Sequence, residues 1–239
     1  MDIINHDITN YNVKEYVGKQ IYVIENLLTK TDCNEFINII NQLPKHNEYI
    51  KEGSNVQGYR NVLQQNLLHD DSKYYNFDIG LKNVKITNKL NGLSHYDIRT
   101  HIQKLNKIFE NLYGIINKIN GRINIKYNSD YIMRIITGAT YLHADDIVYD
   151  KSFILNKLLK ITKENDKFNM NVKVDRRLTT IVALNSDYDG GELVFPEQDV
   201  SIKLKEGDIV CFPPYWTHPH RSNDLLNATK RYTITSWHG

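Results

Sequence analysis

Residues 138–150 read GATYLHADDIVYD and set His143 and Asp145 two positions apart inside an apolar and aromatic run. In an extended strand, side chains two apart share a face. An imidazole and a carboxylate would then point the same way. Such a pair is either two legs of a divalent-metal site or a turn that carries two polar residues. The choice depends on whether the rest of the chain builds strands around the pair and supplies a third ligand.

Beyond Gly121 the sequence has the short period of strands. INIKYNSDYIMRIIT and YLHADDIVY come first, SFILNKLLKITKEN reads as a short inserted helix, and RRLTTIVALN is rich in Thr, Ile and Val. DGGELVFP, VSIKLKEGDIVCFPP and KRYTITSW supply three or four more strands. Short strands punctuated by Gly, Asp and Pro predict an all-β sandwich or barrel. Ahead of them, IYVI reads as a strand. Thr29 followed by Asp32 fits a helix start, Phe36, Ile39 and Ile40 recur at helical spacing, and Pro44 ends the helix. Residues 45–93 have little period, with strand candidates in YRNVLQQN and NVKIT. A long helix is predicted over about 97–119, with Ile102, Leu105, Ile108, Phe109, Leu112 and Ile116 as its apolar stripe. The expected class is mainly β with packing helices (α+β). One domain spans 1–239, helical and irregular to about 120 and β-rich from about 121 to 237.

The 30 basic and 28 acidic residues leave a net charge of +2, so no broad basic field exists to bind nucleic acid strongly and without specificity. Cys33 and Cys211 are far apart and form no disulfide framework; buried thiols in a reducing compartment are expected. The opening MDIINHDITNYNVKEY lacks a basic start and a long apolar run, so neither a signal peptide nor a membrane span is expected. The expected location is the cytoplasm or the interior of a host cell.

Three histidines could complete the metal site: His218 and His220 in PPYWTHPHRS, and His238 near the tail. The first two could equally be surface-turn residues. They follow GDIVCFPP, a strand able to run beside the His143 strand, and they precede KRYTITSW. On that last strand Arg231, Thr233, Thr235 and Trp237 share one face, and Tyr232, Ile234 and Ser236 share the other. An arginine facing inward is costly unless paired. A dicarboxylate would pair it, since guanidinium matches carboxylate bidentately, and Thr235 could add a hydroxyl. The plainer alternative makes Lys230 and Arg231 a solvated strand start.

In order, His143-Ala-Asp145, DGGELVFPE, EGDIVCFPP, His220 and KRYTITSW resemble the prolyl 4-hydroxylase-like branch of the Fe(II)/2-oxoglutarate dioxygenases. The opening IYVIENLLTKTDCNEFINII is similar to that branch's strand-helix start. The resemblance implies a double-stranded β-helix (jelly-roll) core. It implies His143, Asp145 and His220 as Fe(II) ligands, because the distance to Arg231 fits the family spacing better from His220 than from His218. Arg231 would bind the distal carboxylate of 2-oxoglutarate, with Thr235 supporting the cosubstrate pocket. Tyr141 could reach the same pocket, and Trp237 would line the site behind the iron. Two departures stand out. Ile135 lies where many relatives carry a tyrosine, so that hydroxyl contact is missing or comes from Tyr141 or Tyr131. Ala183 lies where a relative has a cosubstrate-binding tyrosine, and Thr179 could substitute.

The implied activity is that of a procollagen-proline 4-dioxygenase-like hydroxylase using Fe(II), 2-oxoglutarate and O2, with ascorbate as a reductant. Proline in a peptide or protein is the expected substrate. Tyr59 and Arg60, in SNVQGYRNVLQQN, would stand near the site mouth, and residues 147–175 are either a lid or a packed surface helix. Alternative substrates are a small molecule, a free amino acid or alkylated nucleic acid. The last is disfavoured by the balanced charge and by the lack of a second arginine spaced after Arg231. A cupin-type metal barrel would carry His-x-His with a glutamate in a different order. A catalytically inactive jelly-roll binding module would have no need of the triad and Arg231.

Overall fold

The computed structural model describes residues 2–8, 10–42, 62–66, 95–125, 128–140, 142–145 and 176–239. The elements are β1 (Ile3–Ile8), β2 (Tyr11–Tyr16), β3 (Ile21–Ile24), α1 (Lys30–Gln42), β4 (Val62–Asn66), α2 (His95–Ile119), β5 (Asn128–Ile136), β6 (Leu178–Ala183), β7 (Asp189–Gly190), β8 (Leu193–Phe195), β9 (Val200–Ile202), β10 (Ile209–Phe212), β11 (Arg221–Ser222), β12 (Leu225–Leu226) and β13 (Arg231–His238). Eight strands form one sheet in the order β1-β2-β3-β10-β6-β13-β5-β4, and β11-β8-β9 form a smaller one, with every pairing antiparallel. β12 pairs with β7 apart from both.

Alternation along the strands divides the large sheet into two buried faces. Tyr22 and Ile24 of β3, Tyr131, Met133 and Ile135 of β5, Val182 of β6, Ile209 and Cys211 of β10 and Ile234 of β13 pack with the two helices. Those helices contribute Cys33, Phe36, Ile39 and Ile40 from α1 and Leu105, Phe109, Leu112, Ile115 and Ile116 from α2. The alternate residues, Ile21, Val23, Ile181, Ala183, Val210 and Phe212, pack with Leu193, Phe195, Val200 and Ile202 of the small sheet. The result is a layer of helices, a large sheet and a small sheet, as expected when one sheet has two apolar faces. It is a mixed, sheet-dominated fold consistent with a double-stranded β-helix core; the described strands do not close a barrel.

Local chemistry sets the ends of these elements. The Thr29 backbone N–H and Oγ1 donate to Asp32 Oδ2 at 2.9 and 2.6 Å, and the Asp32 N–H donates to Thr29 Oγ1 at 3.2 Å. This is a capping box, and it starts α1 as the sequence predicts. Lys104 of α2 pairs with Asp32 and, at 2.8 Å, with Glu35, which ties the helices together. Gly207 has φ +85°, and a Cβ there would clash with the Leu28 carbonyl oxygen.

Several expectations shift. The opening residues form the β1–β2 hairpin, whose β1 is largely exposed and so carries little apolar pattern. Within YLHADDIVY the described residues hold a single bridge, His143 with His220, rather than a strand. The YRNVLQQN strand is present as β4. Pro44, NVKIT and 147–175 lie outside the described residues. Both cysteines are free and buried, and burial pushes the Cys33 thiol up to about 12. Among the described residues no helix is long and apolar enough to cross a membrane.

His238 is fully buried on the helix side of the sheet, away from the other two histidine candidates. Its Nδ1 lies 2.9 Å from Tyr113 Oη and its Nε2 lies 2.8 Å from Thr180 Oγ1. Burial pushes its pKa down to about 3 from 6.5. Below pH 6.5 the unfolded chain takes up a proton that the folded chain refuses until near pH 3, so stability is lost as pH falls through that window. His238→Gln should flatten that fall by about 1.4 kcal/mol per pH unit, read by urea unfolding between about pH 6 and 5. Equal slopes in parent and variant would refute it. Gly207→Ala should cost more than about 1 kcal/mol in the same measurement at neutral pH.

Candidate active site

The chain leaving β5 crosses to the small sheet through backbone pairing. The Thr140 N–H donates to the Ser222 carbonyl at 3.1 Å, and the Ser222 N–H donates to Thr140 Oγ1 at 2.6 Å. Three residues on, His143 and His220 exchange N–H to carbonyl bonds of 3.0 and 2.8 Å. Their rings lie 4.4 Å apart, centroid to centroid. Phe195 from the small sheet and Phe212 from the large one flank the His220 ring at 5.6 and 4.7 Å.

Asp145 Oδ1 is 3.6 Å from His143 Nε2, and Oδ2 is 3.8 Å from His220 Nε2. The three groups offer ligand atoms within 4.8 Å of one another. Bonds of about 2.1 Å to one divalent ion put neighbouring ligand atoms about 3 Å apart, so the cluster needs only a small contraction. Two histidines and one carboxylate suit Fe(II) with positions left open. His220 Nδ1 donates to the His218 carbonyl at 3.2 Å, which turns Nε2 toward the cluster. Thr179 Oγ1 donates to Asp145 Oδ2 at 2.9 Å, and Arg176 Nη1 holds the Asp145 carbonyl at 2.7 Å. Burial would raise the Asp145 carboxyl, but the His143 contact and the His220 charge hold it well below the usual range. Burial pushes the His220 pKa down to about 4, so a neutral imidazole stands ready as a ligand.

Beside this cluster is a cavity lined by Arg231, Thr233 and Thr235 of β13, Arg134 and Ile136 of β5, Ile181, Leu193 and Ser222. Asp145 is the one acid among the described residues of its lining. Arg231 is buried; its Nη1 donates to the Gly191 carbonyl and its Nη2 to Ser222 Oγ at 2.8 Å. Burial lowers its pKa from 12.5, with the nearby Arg134 charge adding to the effect. Arg231 Nε, Arg134 Nε and Thr233 Oγ1 are buried with no hydrogen-bond partner among the described residues. Two guanidiniums and a hydroxyl with unused donors match the hydrogen-bonding chemistry of a dicarboxylate.

The predicted residues divide as follows. His143, Asp145 and His220 come together, and Arg231 and Thr235 share their cavity. His218 is buried elsewhere, its Nε2 2.7 Å from the Lys19 carbonyl, so it pins the loop. Lys230 is exposed. Thr179 contacts Asp145 and is not among the lining residues. Trp237 is buried with the Arg176 guanidinium carbon 4.0 Å above its ring. Tyr131 and Ile135 turn to the helix face, where Tyr131 Oη donates to Asn106 Oδ1 at 2.6 Å. Tyr131 is thereby removed as a source of the missing hydroxyl. Tyr59, Arg60 and Tyr141 lie outside the described residues. Sequence reasoning missed Arg134, Arg176 and Ser222.

Residues 132–239 match the 2OG-Fe(II) oxygenase superfamily. That match and the two-histidine, one-aspartate cluster support a 2-oxoglutarate-dependent dioxygenase activity. No curated protein matches the chain. Among solved structures it is similar to the viral collagen prolyl hydroxylase of Paramecium bursaria Chlorella virus-1 in complex with 2-oxoglutarate, at 19% identity and TM-score 0.51 over 92% of this chain and 95% of that one. A Trichoplax adhaerens prolyl hydroxylase in complex with a hypoxia inducible factor peptide fragment is similar at 16% identity and TM-score 0.55, over 92% and 84%. A Burkholderia pseudomallei 2OG-Fe(II) oxygenase family protein is similar at 10% identity and TM-score 0.53, over 92% and 84%. At these identities the likeness establishes the fold.

Asp145→Ala should abolish Fe(II) binding, measured anaerobically by equilibrium dialysis, while the thermal unfolding transition persists. His218→Ala should keep Fe(II) affinity and lower the unfolding temperature. Loss of Fe(II) in H218A with retention in H220A would reverse the assignment.

Proposed function

We propose that the chain is an Fe(II)- and 2-oxoglutarate-dependent hydroxylase of proline in a peptide or protein. One observation carries the iron and cosubstrate part: a buried Arg231 shares a cavity with the His143, Asp145 and His220 cluster, and the single acid among the described lining residues is a member of the cluster. In this reading residues 1–239 form one domain around a jelly-roll core. His143, Asp145 and His220 hold Fe(II). Arg231 pairs with the distal carboxylate of 2-oxoglutarate, and Thr235 supports the same pocket.

Bound Fe(II) with 2-oxoglutarate and O2 supplies oxidation of a C–H bond: one oxygen atom becomes the product hydroxyl and the other enters succinate as CO2 leaves. The protein's own groups orient the ligands. Thr179 and the Arg176 contact fix Asp145, and the His218 carbonyl fixes the His220 ring. Ile136, Ile181 and Leu193 add apolar side chains to an otherwise polar lining. Ascorbate enters only through the family resemblance, as a reductant that keeps the iron ferrous.

Support for a prolyl substrate has two sources. One is the fold likeness to two prolyl hydroxylases. The other is apolar surface close to the ligands in sequence: Leu142, next to His143, is 50% exposed, and Trp216, four residues before His220, is 78% exposed. Aromatic and apolar surface suits a prolyl ring and a peptide backbone better than a phosphate chain.

Mass spectrometry on paired peptides, with proline or alanine at one site, tests the substrate. One added oxygen is expected in the proline peptide alone, with turnover nearly independent of salt. Turnover of methylated single-stranded DNA with a steep salt dependence, or of a free amino acid, and of neither peptide would overturn the peptide reading and leave the iron chemistry intact. Arg231→Ala should raise the 2-oxoglutarate requirement about thirtyfold, roughly 2 kcal/mol, and Lys230→Ala should change it little. Succinate formation measures both.

A further inference from the structure

We infer that Arg134 is a second anchor for the cosubstrate, binding the carboxylate nearest the metal while Arg231 binds the far one. This rests on the 2-oxoglutarate reading above.

Register puts Arg134 there. It pairs with Thr233 of β13, so its side chain falls on the face that carries Arg231, Thr233 and Thr235. Its Nη1 donates to Thr235 Oγ1 at 3.2 Å. Thr235 lies beyond Thr233 toward Trp237, the end of β13 opposite Arg231, so the guanidinium leans away from Arg231. Arg134 lines the same cavity as His143, Asp145 and His220. Thr179, the residue that holds Asp145, pairs across β6 with Trp237 at that same end.

Arg134 is under-satisfied where it stands. A guanidinium carries five N–H donors. The Nε of Arg134 is buried without a partner among the described residues. Asp145, the one acid among the described lining residues, is committed to the metal cluster and is already held by Thr179. A second carboxylate would take the unused donors in a bidentate contact. Tyr131 and Ile135 of the same strand face the helices, and Arg134 is the polar side chain that β5 contributes to the described cavity lining.

The test is anaerobic titration of 2-oxoglutarate into the Fe(II)-loaded protein, followed by the visible absorption of the chelate and by equilibrium dialysis. Arg134→Gln should weaken 2-oxoglutarate at least about tenfold, with Fe(II) affinity not reduced, and Arg134→Lys should recover part of the loss. 2-Oxobutyrate keeps the metal-side carboxylate and oxo group but lacks the far carboxylate. R134Q should weaken its binding and R231Q should not. Thermal unfolding checks each variant. If R134Q fails to fold, R134K is read in its place, with a loss of at least about threefold expected from its single-point contact. A parent that binds 2-oxoglutarate alongside a folded variant that binds it equally overturns this inference alone. A parent that binds none overturns the function on which it rests as well.

Discussion

Two backbone hydrogen bonds between His143 and His220, of 3.0 and 2.8 Å, fix the rest of the site. They join the chain leaving β5 of the large sheet to the chain entering β11 of the small one. Metal ligands far apart in sequence are thereby set by main-chain geometry and not by side-chain freedom. Asp145 follows two residues on, so its carboxylate reaches both Nε2 atoms. The packing of Phe195 and Phe212 around the His220 ring draws on both sheets, and it limits the rotamers the ring can adopt. A site held this way is preorganised before any ion arrives.

The large sheet serves two purposes because its strands are buried on both faces. The helix-facing residues make a mainly apolar core, and that core offsets the cost of a polar lining on the other side. On the cavity side, β13 presents Arg231, Thr233 and Thr235 where a stability-driven strand would present valine or isoleucine. Buried hydroxyls and guanidiniums contribute little net stability and are costly when unpaired. Their concentration on one side of two neighbouring strands therefore has its explanation in what they bind. His238, on the helix side, has a partner at each ring nitrogen.

The ligand pair was legible because strand alternation is a rule of period two, and His143 and Asp145 obey it through one bridge even without an extended strand. Arg231 was legible for the same reason, given the register of KRYTITSW. Arg134 was not. In YIMRIIT the alternation can be read from either parity, since Ile132 and Ile136 share the parity of Arg134 while Tyr131, Met133 and Ile135 share the other. Only the pairing of Arg134 with Thr233 decides which set faces the helices. The family pattern drew attention to Ile135, one residue away, and one residue is a change of face. The β1–β2 hairpin escaped notice for a different cause: β1 is exposed along most of its length, so no apolar period marks it. The helices were the easiest to see, because each carries an apolar stripe and α1 a capping box.

Charge makes the metal cluster and the cavity a single unit. Among the described lining residues, two guanidiniums and one carboxylate leave one positive charge in excess when the ligating imidazoles are neutral. A divalent ion on His143, Asp145 and His220 raises that excess, in a region where burial weakens screening. A dianion lying between the ion and the two arginines would relieve it from both ends. A monoanion would leave one arginine uncompensated. The ion and the dianion should therefore each favour binding of the other, a reciprocal coupling that follows from their shared enclosure. Neutral cavity groups could bind an ion or an acid separately. Two arginines sharing the cavity of the metal cluster would make binding of the two depend on each other.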